Sequence, residues 1–163
     1  MGRAESQLRA TAHHVERFGH RCIPISADIT LPEAREEVLR TALDRRNQVN
    51  ILVNAADGGW PGEDTAGAPA GREFLSLPAE DWSRVTAINL DAAAAMIRLV
   101  DDQMVPLSGS KIINVTSAAG HHATDGFSAY GASKAAMQQL TQTLAHEFGH
   151  HGIHVNCIAP GAS

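Results

Sequence analysis

The chain has 163 residues, 44% of them hydrophobic and 19% charged, which suits one soluble globular domain with a real core. Its 13 basic and 18 acidic side chains give a formal net charge of −5, and no basic stripe runs along it, so there is no electrostatic case for binding DNA or RNA. The longest apolar stretches fall short of a membrane span.

Apolar runs alternate with segments of helical period, the pattern of an α/β parallel sheet, and one domain is expected over 1–163. Residues 3–18 carry Leu8, Ala12, Val15 and Phe18 at helical spacing, closed by Gly19. Cys22–Asp28 reads as a strand. A helix follows over 31–46, with Thr30 as N-cap, Pro32 in the first turn and Glu33 three residues after the cap. Asn50–Ala56 reads as a strand apolar on both faces, hence covered on both sides. A Gly/Pro-rich loop fills 57–77, and a long helix spans 79–104. Lys111–Ser117 is a strand, 118–127 a loop, 128–149 a helix ended by Gly149, and His154–Ala159 the last strand.

Neither Cys22 nor Cys157 belongs to a CxxC or Cys/His metal spacing; both are expected to be buried, reduced thiols of a cytoplasmic protein. The first residues show no signal-peptide core, and the match of Gly2 and Ser6 to a myristoylation pattern is read as chance. The sequon at Asn114 is discounted because it lies in a predicted strand. Among the 9 histidines, the adjacent pairs His13-His14, His121-His122 and His150-His151 are expected to diverge, as neighbouring side chains do on a helix. His146 and His150 are spaced to chelate but lack an acidic or Cys partner, so solvated histidines and no metal are expected. His121 and His122 precede Tyr130 and are candidates for a substrate pocket. Trp82 is assigned to packing, and Trp60 is left as a candidate pocket wall.

Tyr130 and Lys134 fall four residues apart in a predicted helix, which puts both on one face, one turn apart. A free phenol has a pKa of about 10, too high for a base near neutrality. A neighbouring ammonium favours the phenolate, and such a tyrosine can pass a proton to or from a carbinol oxygen. Ser117 ends a predicted strand on the side of a parallel sheet where α/β proteins bind ligands. By itself a Tyr-Lys pair at this spacing is more often structural. Here Tyr130 is the only tyrosine, and it follows a strand ending in Ser.

Three segments in order then become specific: Ile113-Asn114-Val115-Thr116-Ser117-Ala118-Ala119-Gly120, Tyr130-Gly131-Ala132-Ser133-Lys134-Ala135-Ala136, and Val155-Asn156-Cys157-Ile158-Ala159-Pro160-Gly161. Together they resemble the classical short-chain dehydrogenase/reductase family over essentially the whole chain. The resemblance implies a Rossmann-like doubly wound parallel sheet and an NAD- or NADP-dependent oxidoreductase interconverting a secondary alcohol and a ketone. It implies that Tyr130 is the general acid/base, that Lys134 binds the nicotinamide ribose, and that Ser117 orients the substrate oxygen. Asn89 matches the family's active-site asparagine, which holds a water in a proton relay. Asp28, followed by Ile29, matches the adenine-contacting aspartate; its plainer role is turn chemistry ahead of the 31–46 helix. Pro160-Gly161 matches the turn beside the nicotinamide.

Asn54-Ala55-Ala56-Asp57 stands where the family has Asn-Asn-Ala-Gly. Asp57 thus puts bulk and negative charge close to where a cofactor would lie. The family's first two strands, its glycine-rich phosphate loop, its lid and its last strand have no counterpart in this sequence. Weakened cofactor binding is expected, together with an unpaired edge at Asn50–Ala56. The segment Cys22–Asp28 is expected to collapse onto that edge, to leave its gap to another chain, or to keep a parental position. The alternative function is a non-catalytic remnant, at most a module that self-associates through helices 79–104 and 128–149. For the substrate, the residues from Ala56 to Pro61 faintly resemble members acting on bulky alcohols, and 3-ketoacyl-carrier-protein reductases fit equally.

Overall fold

The computed structural model describes residues 1–2, 4–58 and 73–161. Trp60 and most of the 57–77 loop lie outside them. The chain forms two compact units, Met1–Asn47 and Gln48–Ser163.

The first unit holds helices α1 (Glu5–Glu16) and α2 (Pro32–Arg46). The helix expected to reach Phe18 stops two residues earlier. Gly19, at φ 78°, turns the chain, and Phe18 is left 70% exposed rather than on the buried face. Cys22–Asp28 is not a strand of the sheet: among the described residues its ladder contact is one parallel bridge between Ser26 and Gly2. The Gly2 N–H donates to the Ile25 carbonyl at 3.2 Å, and the Ala27 N–H donates to the Gly2 carbonyl at 3.0 Å. One bridge is too short a ladder for a strand. Thr30 does not cap α2 either. Its hydroxyl and its N–H are both spent on Asp28 Oδ1, at 2.7 and 3.0 Å, so the cap position falls to Leu31, which offers no side-chain bond.

The second unit is a parallel three-stranded sheet in the order β1 (Ile51–Asn54), β2 (Lys111–Val115), β3 (His154–Ile158). Leu52, Ile112 and Val155 stand in register as one buried row across the three strands. The opposite face of β1 is not covered as expected: Ile51 and Val53 stay exposed, although their side chains alone would suit a doubly covered strand. Helix α5 (Ser128–Phe148) packs on β2 and β3. The helix predicted over 79–104 is broken into α3 (Ala79–Thr86), a π-turn (Ala87–Asp91) and α4 (Ala92–Met104). The alanine run starts α4, whose buried face is Ala92, Ala93, Met96, Ile97, Val100 and Met104, an i, i+4 stripe. Trp82 packs edge-on against Phe74 at 6.1 Å while remaining partly exposed.

As expected, α5 ends at Gly149, its C-cap, although Gly149 keeps helical φ; the left-handed residue is Gly152, at φ 73°, one 3₁₀ turn later. The cysteines differ from expectation too. Cys157 is exposed and Cys22 only half-buried, since Cys157 sits near the sheet's end, beyond the covered row; both are free thiols. Asn114 is fully buried, in keeping with the discounted sequon. No helix of the described residues is long and apolar enough to cross a membrane.

Candidate active site

The site is assembled where β1 and β2 end, in the second unit. At the end of β1, Asn54 donates through Nδ2 to Asn114 Oδ1 on β2 at 2.9 Å. Asn114 in turn donates to Thr141 Oγ1 of α5 at 2.9 Å, and Thr141 donates to the Met137 carbonyl at 2.7 Å. A buried amide needs its donors satisfied, so this chain fixes β1, β2 and α5 relative to one another.

Beyond Asn54 the chain passes through exposed Ala55 and Ala56 to Asp57 and buried Gly58. Asn89 lies in the π-turn and is 4% exposed. It accepts from the Gly58 N–H at 3.1 Å and donates to the Gly58 carbonyl at 2.8 Å. The π-turn widens the helix by one residue at this point, a feature often found at functional sites.

Beyond β2, Ser117 starts a 3₁₀ turn (Ala118–Gly120) and accepts from the Ala119 N–H at 3.2 Å. Two glycines let this turn lie against α5. A Cβ on Gly131 would come 2.8 Å from the Ala119 carbonyl oxygen, and one on Gly120 would come 2.9 Å from the Ala135 nitrogen. Gln138, buried one turn beyond Lys134, donates to the Ser117 carbonyl at 3.2 Å. The Ala118 N–H donates to the Pro160 carbonyl at 2.9 Å, tying the segment after β3 to the same turn. Gly161 lies near Ala118.

Tyr130 and Lys134 share one face of α5, as their spacing requires. Tyr130 is 4% exposed and packs among Val85, Ala129, Leu77, Ala119 and Phe127. Its hydroxyl donates to Asp57 Oδ2 at 3.1 Å. Lys134 Nζ sits 5.4 Å from the centre of the Tyr130 ring, donates to the Val115 carbonyl at 3.1 Å, and pairs with Asp57 Oδ1 at 3.0 Å. The lysine side chain is 2% exposed and that of Asp57 42%. A buried ammonium needs such partners. The two oxygens of one carboxylate therefore meet the Tyr130 hydroxyl and the Lys134 ammonium.

Tyr130, Lys134, Ser117 and Asn89, the residues that the sequence resemblance singles out, thus lie around the ends of β1 and β2. The family model for short chain dehydrogenases matches residues 1–163. The chain belongs to the short-chain dehydrogenase family. The chain is 29% identical to the 3-oxoacyl-[acyl-carrier-protein] reductase of Synechocystis sp. over 143 residues, 88% of the chain and 54% of the relative. Its fold matches the crystal structure of a dehydrogenase/reductase from Sinorhizobium meliloti 1021 with TM-score 0.88 and 30% identity, over 100% of this chain and 60% of that one. It also matches NAD+-bound xylitol dehydrogenase with TM-score 0.87 and 26% identity, over 98% and 58%. The chain thus spans little more than half the length of the curated relatives it matches.

Of the sequence-predicted residues, Ser117, Tyr130, Lys134, Asn89, Asn54, Ala55, Ala56, Pro160 and Gly161 all fall in the second unit. Asp28 and Ile29 belong to the first unit. There Asp28 forms the turn ahead of α2, and the Ile29 carbonyl accepts from Arg35 at 2.6 Å. His121, His122, His146 and His150 are exposed. Among the described residues no group of three or more His, Cys, Asp or Glu is arranged to hold a metal. Two residues of the site escape sequence reasoning. Gln138 gives no signal in the sequence beyond its i+4 offset from Lys134. Asp57 does give one, its departure from glycine, but that departure points to obstruction and not to membership.

Proposed function

We propose that the chain carries the proton-transfer part of an oxidoreductase that moves a hydride between NAD(P)(H) and a small secondary alcohol or ketone. The observation that carries this reading is the convergence of the Tyr130 hydroxyl and the Lys134 ammonium on one pair of oxygens. Two donors aimed at adjacent oxygens suit a ribose hydroxyl beside a substrate oxygen, so the residues present fit a nicotinamide nucleoside. When bound, that group supplies or accepts the hydride. Tyr130 gives a proton to the carbonyl oxygen in reduction and takes one from the carbinol in oxidation. Lys134 holds the ribose, and its charge favours the phenolate when the carbinol must be deprotonated. Ser117 orients the substrate oxygen.

Asn89, bound to both backbone groups of Gly58, fixes the loop that carries Asp57. Of the remaining cofactor-binding candidates, Asp28 and Ile29 of the first unit are assigned to the adenine, Asn54, Ala55 and Ala56 to the cofactor without a finer assignment, and Pro160-Gly161 to the nicotinamide. The protein works in the cytoplasm, as a homo-oligomer through 79–104 and 128–149. Titrating NADH and NADPH against the purified chain by fluorescence tests the reading. Binding that is lost in Lys134→Met supports it, and no binding of either nucleotide at millimolar concentration overturns it for this chain.

A second reading is a non-catalytic, self-associating module. The Asp57 carboxylate seated on both the Tyr130 hydroxyl and the Lys134 ammonium favours it. A stable dimer by sedimentation together with no nucleotide binding is its expected result.

A further inference from the structure

Asp57 stands where the family pattern has glycine, and no role for a carboxylate there follows from the hydride-transfer reading. The structure gives it two partners at once: Tyr130 Oη at 3.1 Å on Oδ2, and Lys134 Nζ at 3.0 Å on Oδ1. The loop that presents it is held by Asn89 through Gly58, the next residue, whose N–H also lies 3.1 Å from Asp57 Oδ1. The carboxylate thus has a fixed backbone and two fixed donors.

We propose that Asp57 is a positioning residue of the proton-transfer pair, and that its carboxylate holds Tyr130 as the protonated phenol. The inference deepens the proposed role of Tyr130 and rests on that reading for its catalytic meaning. A carboxylate can accept a hydrogen bond only from the neutral phenol, and it opposes the phenolate charge. It also neutralises the ammonium that would otherwise favour the phenolate. Among the described residues, the charged groups set against Tyr130 are Lys134 from α5 and Asp57 from the loop after β1. The ring packs against Val85 from α3 and against Leu77, Ala119, Ala129 and Phe127, none of which carries a charge. Tyr130 with Asp57 in place is therefore set as a proton donor, which suits carbonyl reduction.

The chain supplies its own reporter, because Tyr130 is its only tyrosine. The ultraviolet absorbance of the phenolate, followed against pH, reads this one group. We expect the ionisation midpoint of Asp57→Asn and Asp57→Gly to fall below that of the wild type by ~1 pH unit or more, the usual effect of removing a charge in contact. Far-UV circular dichroism at each pH keeps the comparison to folded protein. In [¹³Cζ]tyrosine-labelled protein at neutral pH, the single Cζ resonance should also move in both variants. Midpoints that coincide with the wild type or lie above it, or an unmoved Cζ resonance, overturn the proposal. Nucleotide binding is scored separately: its absence sinks the oxidoreductase reading and leaves the tyrosine titration standing.

Discussion

Asn89 closes a ring of two hydrogen bonds with a single residue, Gly58, taking its N–H at 3.1 Å and giving to its carbonyl at 2.8 Å. Gly58 is buried along with it, so its two backbone groups are shielded from solvent. Replacing Asn89 with Ala strands both backbone groups, at a cost of ~1–3 kcal/mol for each. The expected result is a lower urea midpoint with an unchanged slope. An unchanged midpoint would mean that the loop finds other partners.

Gly131 meets a harder limit. A Cβ added there would stand 2.8 Å from the Ala119 carbonyl oxygen, with backbone on both sides, so Gly131→Ala must push the Ser117–Gly120 turn off α5. Overpacking of this kind costs ~1–3 kcal/mol. Thermal denaturation should show the loss. Gly109 is the contrast: nothing lies within 4 Å of its Cβ position, and its difficulty is its φ of 88°.

Thr141 is the end of the buried amide chain that starts at Asn54. Thr141→Val keeps the shape and removes the acceptor for Asn114 Nδ2. A loss of ~1–3 kcal/mol is expected, with Thr141→Ser restoring most of it. Equal stability of the Val and Ser variants would show that Asn114 does not depend on this bond.

Tyr130→Phe deletes one oxygen from a packed ring and should leave the fold standing. If the proposed chemistry holds, carbonyl reduction by the loaded protein falls by ~10²–10⁴-fold, the range ascribed to a positioned acid. Turnover by the Phe variant at the wild-type rate would remove Tyr130 from the reaction.

The parts of this chain that are legible in its sequence are those decided by local pattern. The strands at β1, β2 and β3, the face of α5 shared by Tyr130 and Lys134, and the strand-end position of Ser117 all follow from periodicity and spacing. What is not legible depends on partners. Cys22–Asp28 has the composition of a strand, but a strand exists only through its ladder, and among the described residues that ladder is the one bridge from Ser26 to Gly2. Thr30 has the chemistry of a cap, but Asp28 two residues earlier takes its hydroxyl. The contact of Asp57 with Tyr130 spans 73 positions in the chain, beyond the reach of any local rule.

The π-turn at Ala87–Asp91 gives the chain an unusual vulnerability to length. Each residue of an α-helix rotates the direction of its side chain by roughly 100°. Removing one residue from this turn would let α3 and α4 fuse into one regular helix and swing the amide of Asn89 away from Gly58. Every recognisable motif, from Ser117 to Lys134 and on to Pro160-Gly161, would still be spelled out in such a sequence. Its resemblance to active relatives would be nearly undiminished, while the loop beside its tyrosine had lost its anchor.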